Sequence, residues 1–210
     1  MKTVSFVSKK GGVAKTTSAI HYAYWLTLKD YAVTLIDDDN NRTASNWADR
    51  AEGNEKFEVP FKIASFRSMS KAVSGADYVV IDSQASRTDE DLKDFAEDCD
   101  LVVIPTKPDI NSARAATETA DAIKRHGGDY RILITDVPSY NTTGSELADD
   151  LVEDGYLLFE RVVRRSEGVN HASLAGTTLK QMTGNYRRPW RDYEQVFDEI
   201  ALIIGKPINQ

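Results

Sequence analysis

Near the amino terminus an apolar run, Thr3–Ser8, leads without a break into Lys9-Lys10-Gly11-Gly12-Val13-Ala14-Lys15-Thr16-Thr17, and helical spacing begins at Thr16. A buried strand, a tight glycine turn and a helix start, in that order, leave few architectures open. The strand must sit inside a sheet, because both of its faces are apolar. Gly11 and Gly12 let the backbone turn sharply and approach oxygens closely, and successive N–H groups at the helix start offer partial positive charge to an anion. Lys15 is placed to reach the β- and γ-phosphates of a nucleotide. The Thr16 hydroxyl stands where a protein ligand for Mg²⁺ is needed.

The rest of the chain repeats this alternation. Val33–Asp37, Tyr78–Asp82, Leu101–Pro105 and Ile132–Asp136 are short, rich in Val and Ile and apolar on both faces. Thr16–Lys29, Asp89–Glu97, Ser112–Arg125 and Ser145–Glu153 carry helical spacing between them. The pattern predicts an α/β fold, a doubly wound, mostly parallel sheet with helices on both faces and right-handed crossovers. Val59–Ala64 is expected as an edge strand, Gly168–Ala175 as a short helix, and Pro189–Ile204 as a closing helix with Pro189 at its start. At 210 residues, with no internal repeat and no Pro/Gly/Ser linker, residues 1–210 read as one domain. Cys99 is the only cysteine, which excludes an internal disulfide or a multi-cysteine cluster within one chain and points to a reducing cytoplasm. No signal-peptide pattern opens the chain, and no run approaches the ~20 apolar residues of a membrane span.

The loop departs from the strict G-x-x-x-x-G-K-[ST] pattern, since Lys9 and Ala14 occupy its two glycine positions. Lys10 to Thr17 follow instead K-G-G-x-[GA]-K-T-[TS], position by position. In this the chain resembles the deviant Walker A ATPases of the ParA/MinD family, which have a P-loop NTPase fold. The resemblance implies ATP and Mg²⁺ as cofactors, with Lys10, Gly11, Gly12, Val13, Ala14, Lys15, Thr16 and Thr17 holding the nucleotide. It implies an ATP-dependent homodimer in which Lys10, the family's signature lysine, reaches the partner's nucleotide, with Lys10, Lys15 and Asp39 serving catalysis. A cation beside a γ-phosphate at an effective dielectric of ~20 is worth a few kcal/mol and loses its partner when that phosphate leaves.

Two further motifs carry the resemblance. Val33–Trp47 is similar to the family's second-strand motif, so that Asp39 would orient or activate the attacking water and Asp37 would support the Mg²⁺ shell through water. Asn40-Asn41 replaces the common Pro-Gln there. Asp37, Asp38 and Asp39 repel one another, and a cation is expected close by. Asp77–Ser86 resembles a Walker B strand, with Asp82 holding Mg²⁺ through water; Ser83-Gln84 stands where Thr-Pro or Gly-Pro is usual. Asp100–Ile110 resembles the family's strand and Pro-x-x-Pro turn. Arg161-Val162-Val163-Arg164-Arg165, followed by Ala172 and Gly176, resembles its late I-P-R-R…A…G segment, with Val163 in place of Pro.

A switch of this kind needs a target that only the ATP dimer grips. The net charge of −7 excludes a protein coated all over in base, but it is unevenly spread, at +6 between Arg161 and Arg191 and −13 elsewhere. A local positive face predicts non-specific double-stranded DNA as the target. Arg164, Arg165, Arg187, Arg188 and Arg191 are the candidate contacts, while Arg161 and Lys180 are equally able to pair with the acidic body. A MinD-like membrane target is the alternative. Against it, Trp190–Ile204 carries Asp192, Glu194, Asp198 and Glu199 and ends in Gly205-Lys206-Pro207, and its Tyr193, Phe197, Ile200, Ala201 and Ile204 recur at helical spacing. That is a docked helix, with no membrane contact expected.

The resemblance is closest to short plasmid-partition proteins without an amino-terminal DNA-reading domain. The expected protein is an ATPase of slow intrinsic turnover, cytoplasmic and nucleoid-associated in its ATP state. A ParB-like adaptor would stimulate hydrolysis and release it, so that plasmid DNA is partitioned. A homologue that positions carboxysomes or other organelles through its own adaptor shares the engine and stays open. A small-molecule ATP-dependent ligase is the remaining enzyme alternative. His21, His126 and His171 show no metal or catalytic spacing and read as packing residues, as do Trp25 and Trp47.

Overall fold

The computed structural model describes residues 1–52, 54, 57–140 and 142–205; Lys206 and Pro207, expected to follow the closing helix, lie outside them. Six strands, β1 (Lys2–Phe6), β2 (Val33–Asp38), β3 (Lys62–Ser65), β4 (Tyr78–Ser83), β5 (Leu101–Thr106) and β6 (Tyr130–Ile134), form one sheet in the order β3-β2-β4-β1-β5-β6. Every pairing is parallel. The chain winds outward from β1 to β3, returns to β4 beside β1, and then winds the other way through β5 and β6. This is the expected doubly wound sheet.

The helices are α1 (Lys15–Thr27), α2 (Thr43–Ala51), α3 (Met69–Ala72), α4 (Asp89–Asp98), α5 (Ile110–Arg125), α6 (Thr143–Glu153), α7 (Gly168–Leu174) and α8 (Arg188–Ile203). Alternate strand residues feed two separate cores. Val4, Phe6, Leu35, Val80 and Val103 pack with α1 and α8, while Ile36, Val79, Val102 and Ile104, with Val7 just past β1, pack with α4 and α5. Period-two alternation with apolar residues at every position requires a covered sheet on both sides.

The closing helix is docked as its spacing predicts. Tyr193, Phe197 and Ile200 are at most 1% exposed, and Phe197 meets Tyr22 and Trp25 of α1 at ring distances of 5.2 and 5.9 Å. Burial of each large apolar side chain contributes about 2–3 kcal/mol. Asp192, one of the acids of this helix, is fully buried.

Two local differences matter for the site. The last strand lies two residues earlier than Ile132–Asp136, because the Thr135 hydroxyl donates to the carbonyls of Val13 and Thr106 at 3.2 and 3.0 Å and draws the chain toward the glycine loop. Beyond it, residues 157–165 run along the free edge of β6, with Val163 N–H donating to Ile134 O at 2.8 Å and Arg165 N–H to Val137 O at 2.8 Å. The helix α2 is not among the expected helices, although its Ala44, Trp47 and Ala51 are buried at helical spacing. Its first turn is tied to β2 by the Asp37 carboxylate, which accepts from the Ser45 N–H.

Candidate functional site

Strand register gathers the acids at the carboxyl end of the sheet. Asp37 in β2 is the Cα partner of Asp82 in β4, and Asp82 is the partner of Phe6 in β1. In-register residues of parallel neighbours point to the same face, so these two carboxylates stand side by side next to the strand that feeds the glycine loop.

Within the loop Gly12 and Ala14 take left-handed φ of 75° and 68°. Ala14 thus adopts a backbone conformation that normally favours glycine, at the position where the strict pattern has one. The Lys15 side chain folds back, and its Nζ donates 3.0 Å to the Lys10 carbonyl. Burial pushes the Lys15 ammonium below its usual range, while the carboxylates of Asp82 and Asp39 hold it up. The Lys10 side chain itself is exposed.

Asp82 is 0% exposed, and among the described residues neither of its carboxylate oxygens has a hydrogen-bond partner. Burial pushes its carboxyl up to about 7; the nearby Thr16 hydroxyl draws it back, Asp37 adds to the rise, and Lys15 opposes it. Such an orphaned carboxylate costs free energy unless something binds it. Beside a threonine hydroxyl it fits a small hard cation that arrives with phosphate. Among the described residues no group of three or more acidic, His or Cys side chains could cage a metal. Mg²⁺ here would therefore take Thr16 as its protein oxygen, with Asp82 acting through water and phosphate oxygens supplying the rest.

The acidic triplet is individually satisfied. Asp37 accepts from the Ser45 N–H at 2.8 Å, the Ser45 hydroxyl at 2.6 Å and the Asp39 N–H at 3.3 Å, which fixes the start of α2. Asp38 forms an ion pair with Arg87, the cation that three adjacent carboxylates require. Asp39 accepts from Asn41 N–H at 2.9 Å, Asn41 Nδ2 at 3.1 Å and the Thr43 hydroxyl at 3.2 Å. The loop after β4 is tied in as well, through Ser86 N–H to Lys9 O at 3.2 Å.

A cleft of about 840 Å³ opens here, lined by Gly11, Gly12, Ala14, Lys15, Thr16 and Thr17 on one side, by Asp39 and Gln84, and by Thr135, Asp136, Arg164, Arg165 and Tyr193 on the other. That volume and mixed lining suit a nucleotide.

The structure does not bring the five candidate DNA-contacting arginines together. Because residues 157–165 follow the edge of β6, Arg164 and Arg165 enter the cleft. Arg164 pairs with Asp192 at 2.8 Å and Arg165 with Asp136 at 2.9 Å. Arg161 also pairs with Asp192, and Lys180 lies 5.7 Å over the Trp190 ring. Arg187, Arg188 and Arg191 remain exposed and surround a separate cavity. Sequence reasoning missed Arg87, the Asp136 pairings and Asp192. None follows a motif, and a pairing across 28 residues, such as Arg164 with Asp192, has no local signal. His21 is buried as a packing residue; Trp25 and Trp47 are also in the core.

A family model described as the CobQ/CobB/MinD/ParA nucleotide binding domain matches residues 4–179. Among curated proteins, the maintenance of carboxysome distribution protein A of Gloeobacter kilaueensis is 30% identical over 207 residues, which cover 95% of this chain and 94% of that protein. The protein ParA of Rhizobium radiobacter is 27% identical over 181 residues, covering 76% of this chain and 77% of its own length. A putative plasmid partition protein of Borrelia burgdorferi, solved bound to AMPPNP, superposes with a TM-score of 0.72 at 19% identity, over 95% of this chain and 99% of that one.

Proposed function

This chain belongs to the CobQ/CobB/MinD/ParA nucleotide-binding family and is a ParA/MinD-type ATPase, and from that premise we propose that it is a nucleotide-gated positioning protein. In this reading ATP closes two copies into a sandwich dimer, the dimer holds nucleoid DNA without sequence preference, and a cargo-bound adaptor stimulates hydrolysis and releases it. The observation that carries the nucleotide chemistry is the buried, unpartnered Asp82 carboxylate beside Thr16 and Lys15.

The residues divide the work as follows. Mg²⁺, when bound with the nucleotide, neutralises charge on the phosphate oxygens. The loop amides and the Lys15 ammonium bind those oxygens, and Asp82 steadies the water around them. Asp39 orients the attacking water and takes its proton, but three hydrogen bonds, two from Asn41 and one from Thr43 at the start of α2, engage it first. Those bonds must rearrange before it can act, which accounts for slow unaided turnover and gives the adaptor something to do. Lys10, exposed and outside its own cleft, is free to reach the nucleotide of a second copy. The DNA surface in this reading is Arg187, Arg188 and Arg191. No helix among the described residues is long and apolar enough to cross a membrane.

Two cargoes compete. Plasmid DNA is the cargo implied by the resemblance to short plasmid-partition proteins. A relative named for carboxysome distribution, matched over nearly its full length, favours organelle positioning as a second reading. Fluorescent fusions that follow plasmid foci or organelle foci separate the two. The engine itself is tested by fluorescence anisotropy of random-sequence duplex DNA with ADP, ATP and a slowly hydrolysed analogue. Tight binding only with the triphosphates is expected, with a salt slope of about −0.9 per phosphate neutralised; equal binding in all three states removes the switch. Lys10→Ala is expected to keep nucleotide affinity and lose the dimer, and Asp39→Ala to hold the dimer on DNA.

A further inference from the structure

The loop after β4 brings one more polar side chain to the phosphate end of the cleft. β2 and β4 stay in register as far as Asp38 and Ser83, so the next residues, Asp39 and Gln84, leave neighbouring strands side by side, and both line the cleft. Proline, usual in the family pattern at position 84, has no hydrogen-bond donor. Glutamine puts an amide there.

Gln84 is held from several directions. The Ser83 hydroxyl donates to its main-chain carbonyl at 3.1 Å. Two residues on, the Ser86 N–H donates to Lys9 O at 3.2 Å, with Ser86 in the left-handed region at φ 61°, and Arg87 pairs with Asp38. The side chain is set by Asn40, whose Nδ2 donates to Gln84 Oε1 at 2.9 Å; among the described residues this is the one hydrogen bond the Gln84 side chain makes. Its acceptor is occupied, and its Nε2 remains a donor to the cleft.

The glycine-loop amides and Lys15 meet phosphate oxygens from the α1 side. From the β2–β4 side come two carboxylates, Asp39 and the buried Asp82. During hydrolysis the water oxygen bonds to the terminal phosphorus, the bridging P–O bond breaks with its electron pair leaving on ADP, and Asp39 accepts the water proton. Charge on the transferring phosphoryl oxygens is best met by donors already in place. A cation beside Asp39 would depress its basicity. A neutral amide answers the charge and leaves Asp39 able to take the proton.

We propose that Gln84 is a catalytic residue of ATP hydrolysis, donating Nε2–H to an oxygen of the terminal phosphoryl group, and that Asn40 is a positioning residue that orients the amide. Gln84 keeps its own protons throughout. The proposal rests on the reading of the cleft as an ATP site and involves neither DNA nor an adaptor.

The test follows hydrolysis of bound γ-labelled Mg-ATP in a single turnover with protein in excess, beside the affinity for Mg-ADP. Gln84→Ala should slow the hydrolytic step by about tenfold or more and leave Mg-ADP affinity unchanged. Gln84→Glu keeps the acceptor for Asn40, and with it the tie between the two loops, but has no donor, and should be slow as well. Asn40→Ala should slow the step by less and add nothing in a Gln84→Ala background; a further loss there takes the positioning role from Asn40. Unchanged turnover in Gln84→Ala overturns the proposal. So does faster turnover, which would make the pair a restraint, and so does full turnover in Gln84→Glu, which would make it a fastening only. A parent that releases no phosphate fails the hydrolysis reading by itself. The gain in Mg-ADP affinity on adding aluminium fluoride, a mimic of the transferring phosphoryl group, then decides. A gain in the parent that Gln84→Ala abolishes supports the proposal; a gain that it keeps, or no gain in the parent, overturns it.

Discussion

The Asn40 side-chain amide donates a 2.9 Å hydrogen bond to the side-chain carbonyl of Gln84. Both residues depart from the family pattern, one after β2 and the other after β4, and each is the other's partner. Two residues before Asn40 and three after Gln84, Asp38 pairs with Arg87, whose side chain is 10% exposed. The two loops that flank the phosphate end of the cleft are thus fastened twice, once by an exposed neutral bond and once by a largely buried ion pair.

The ion pair is the stronger tie. Arg87→Ala leaves Asp38 between Asp37 and Asp39 without its counter-ion, and we expect a loss of about 3 kcal/mol in urea unfolding. The double variant Asp38→Ala/Arg87→Ala should recover more than half of that, because no buried charge is then left alone. If the double variant is as unstable as the single one, charge is not what the arginine supplies. The Asn40–Gln84 bond should give a coupling of about 0.5–1 kcal/mol in the same kind of cycle.

Asp82 should trade stability for function. Its carboxyl, held up to about 7 by burial against 3.8 for the unperturbed group, is destabilising whenever it is ionised. The folded state keeps its proton where the unfolded chain has lost it, so stability falls as pH rises from about 4 through 7. Asp82→Asn removes that cost. The nucleotide-free variant should be about 2 kcal/mol or more stabler at pH 8, with the gain vanishing below pH 4, while ATP turnover drops about 10–100-fold. Thermal melts and phosphate release measure the two sides; a variant less stable at pH 8 refutes the electrostatic account.

Much of this was legible in the chain. The glycine loop, the paired acids at strand ends and the strand–helix alternation are local patterns, and β1, β2, β4 and β5 carry them. The α8 spacing correctly marks Tyr193, Phe197 and Ile200 as inward. The failures share a cause. Arg164 and Arg165 read as surface base because nothing local announces that residues 157–165 run along β6 and turn both into the cleft. The burial of Asp192 has no local signal, because its partners Arg161 and Arg164 lie on another segment. The helix α2 is missed although Ala44, Trp47 and Ala51 recur at helical spacing, because at nine residues it offers only three buried positions to mark it.

Gly176 joins α7 to the fold through backbone approach rather than side-chain packing. Its φ is +60°, and a Cβ there would overlap the backbone of Arg50 and Ala51 in α2. Left-handed strain of about 1–2 kcal/mol and overpacking of about 1–3 kcal/mol act together. Gly176→Ala should therefore lose about 3 kcal/mol by urea denaturation, and a loss under about 1 kcal/mol would show that the two segments yield easily.

His21 gives the fold an acid-sensitive joint. Its Nδ1 bonds the Thr17 carbonyl at 2.6 Å, and its Nε2 accepts from the Leu179 N–H at 2.9 Å, so the buried ring must be neutral. Burial lowers its pKa from 6.5 to about 4, with the Thr17 carbonyl pulling the other way. Tyr193, Trp47 and Trp190 surround it and bring no charge of their own at these pH values. Below pH 6.5 the unfolded chain takes up a proton that the folded chain refuses until about pH 4. The stability His21 contributes is complete above 6.5 and is lost over that window, about 3 kcal/mol in all. Carboxylates also titrate toward its lower end, so the observable is the difference between wild type and His21→Gln, whose amide can donate and accept but does not ionise. Unfolding free energies from pH 7 to 4.5 should fall more steeply in wild type. Parallel curves would mean that the imidazole can be charged where it sits, and that its bond to Leu179 is not what keeps the ring neutral.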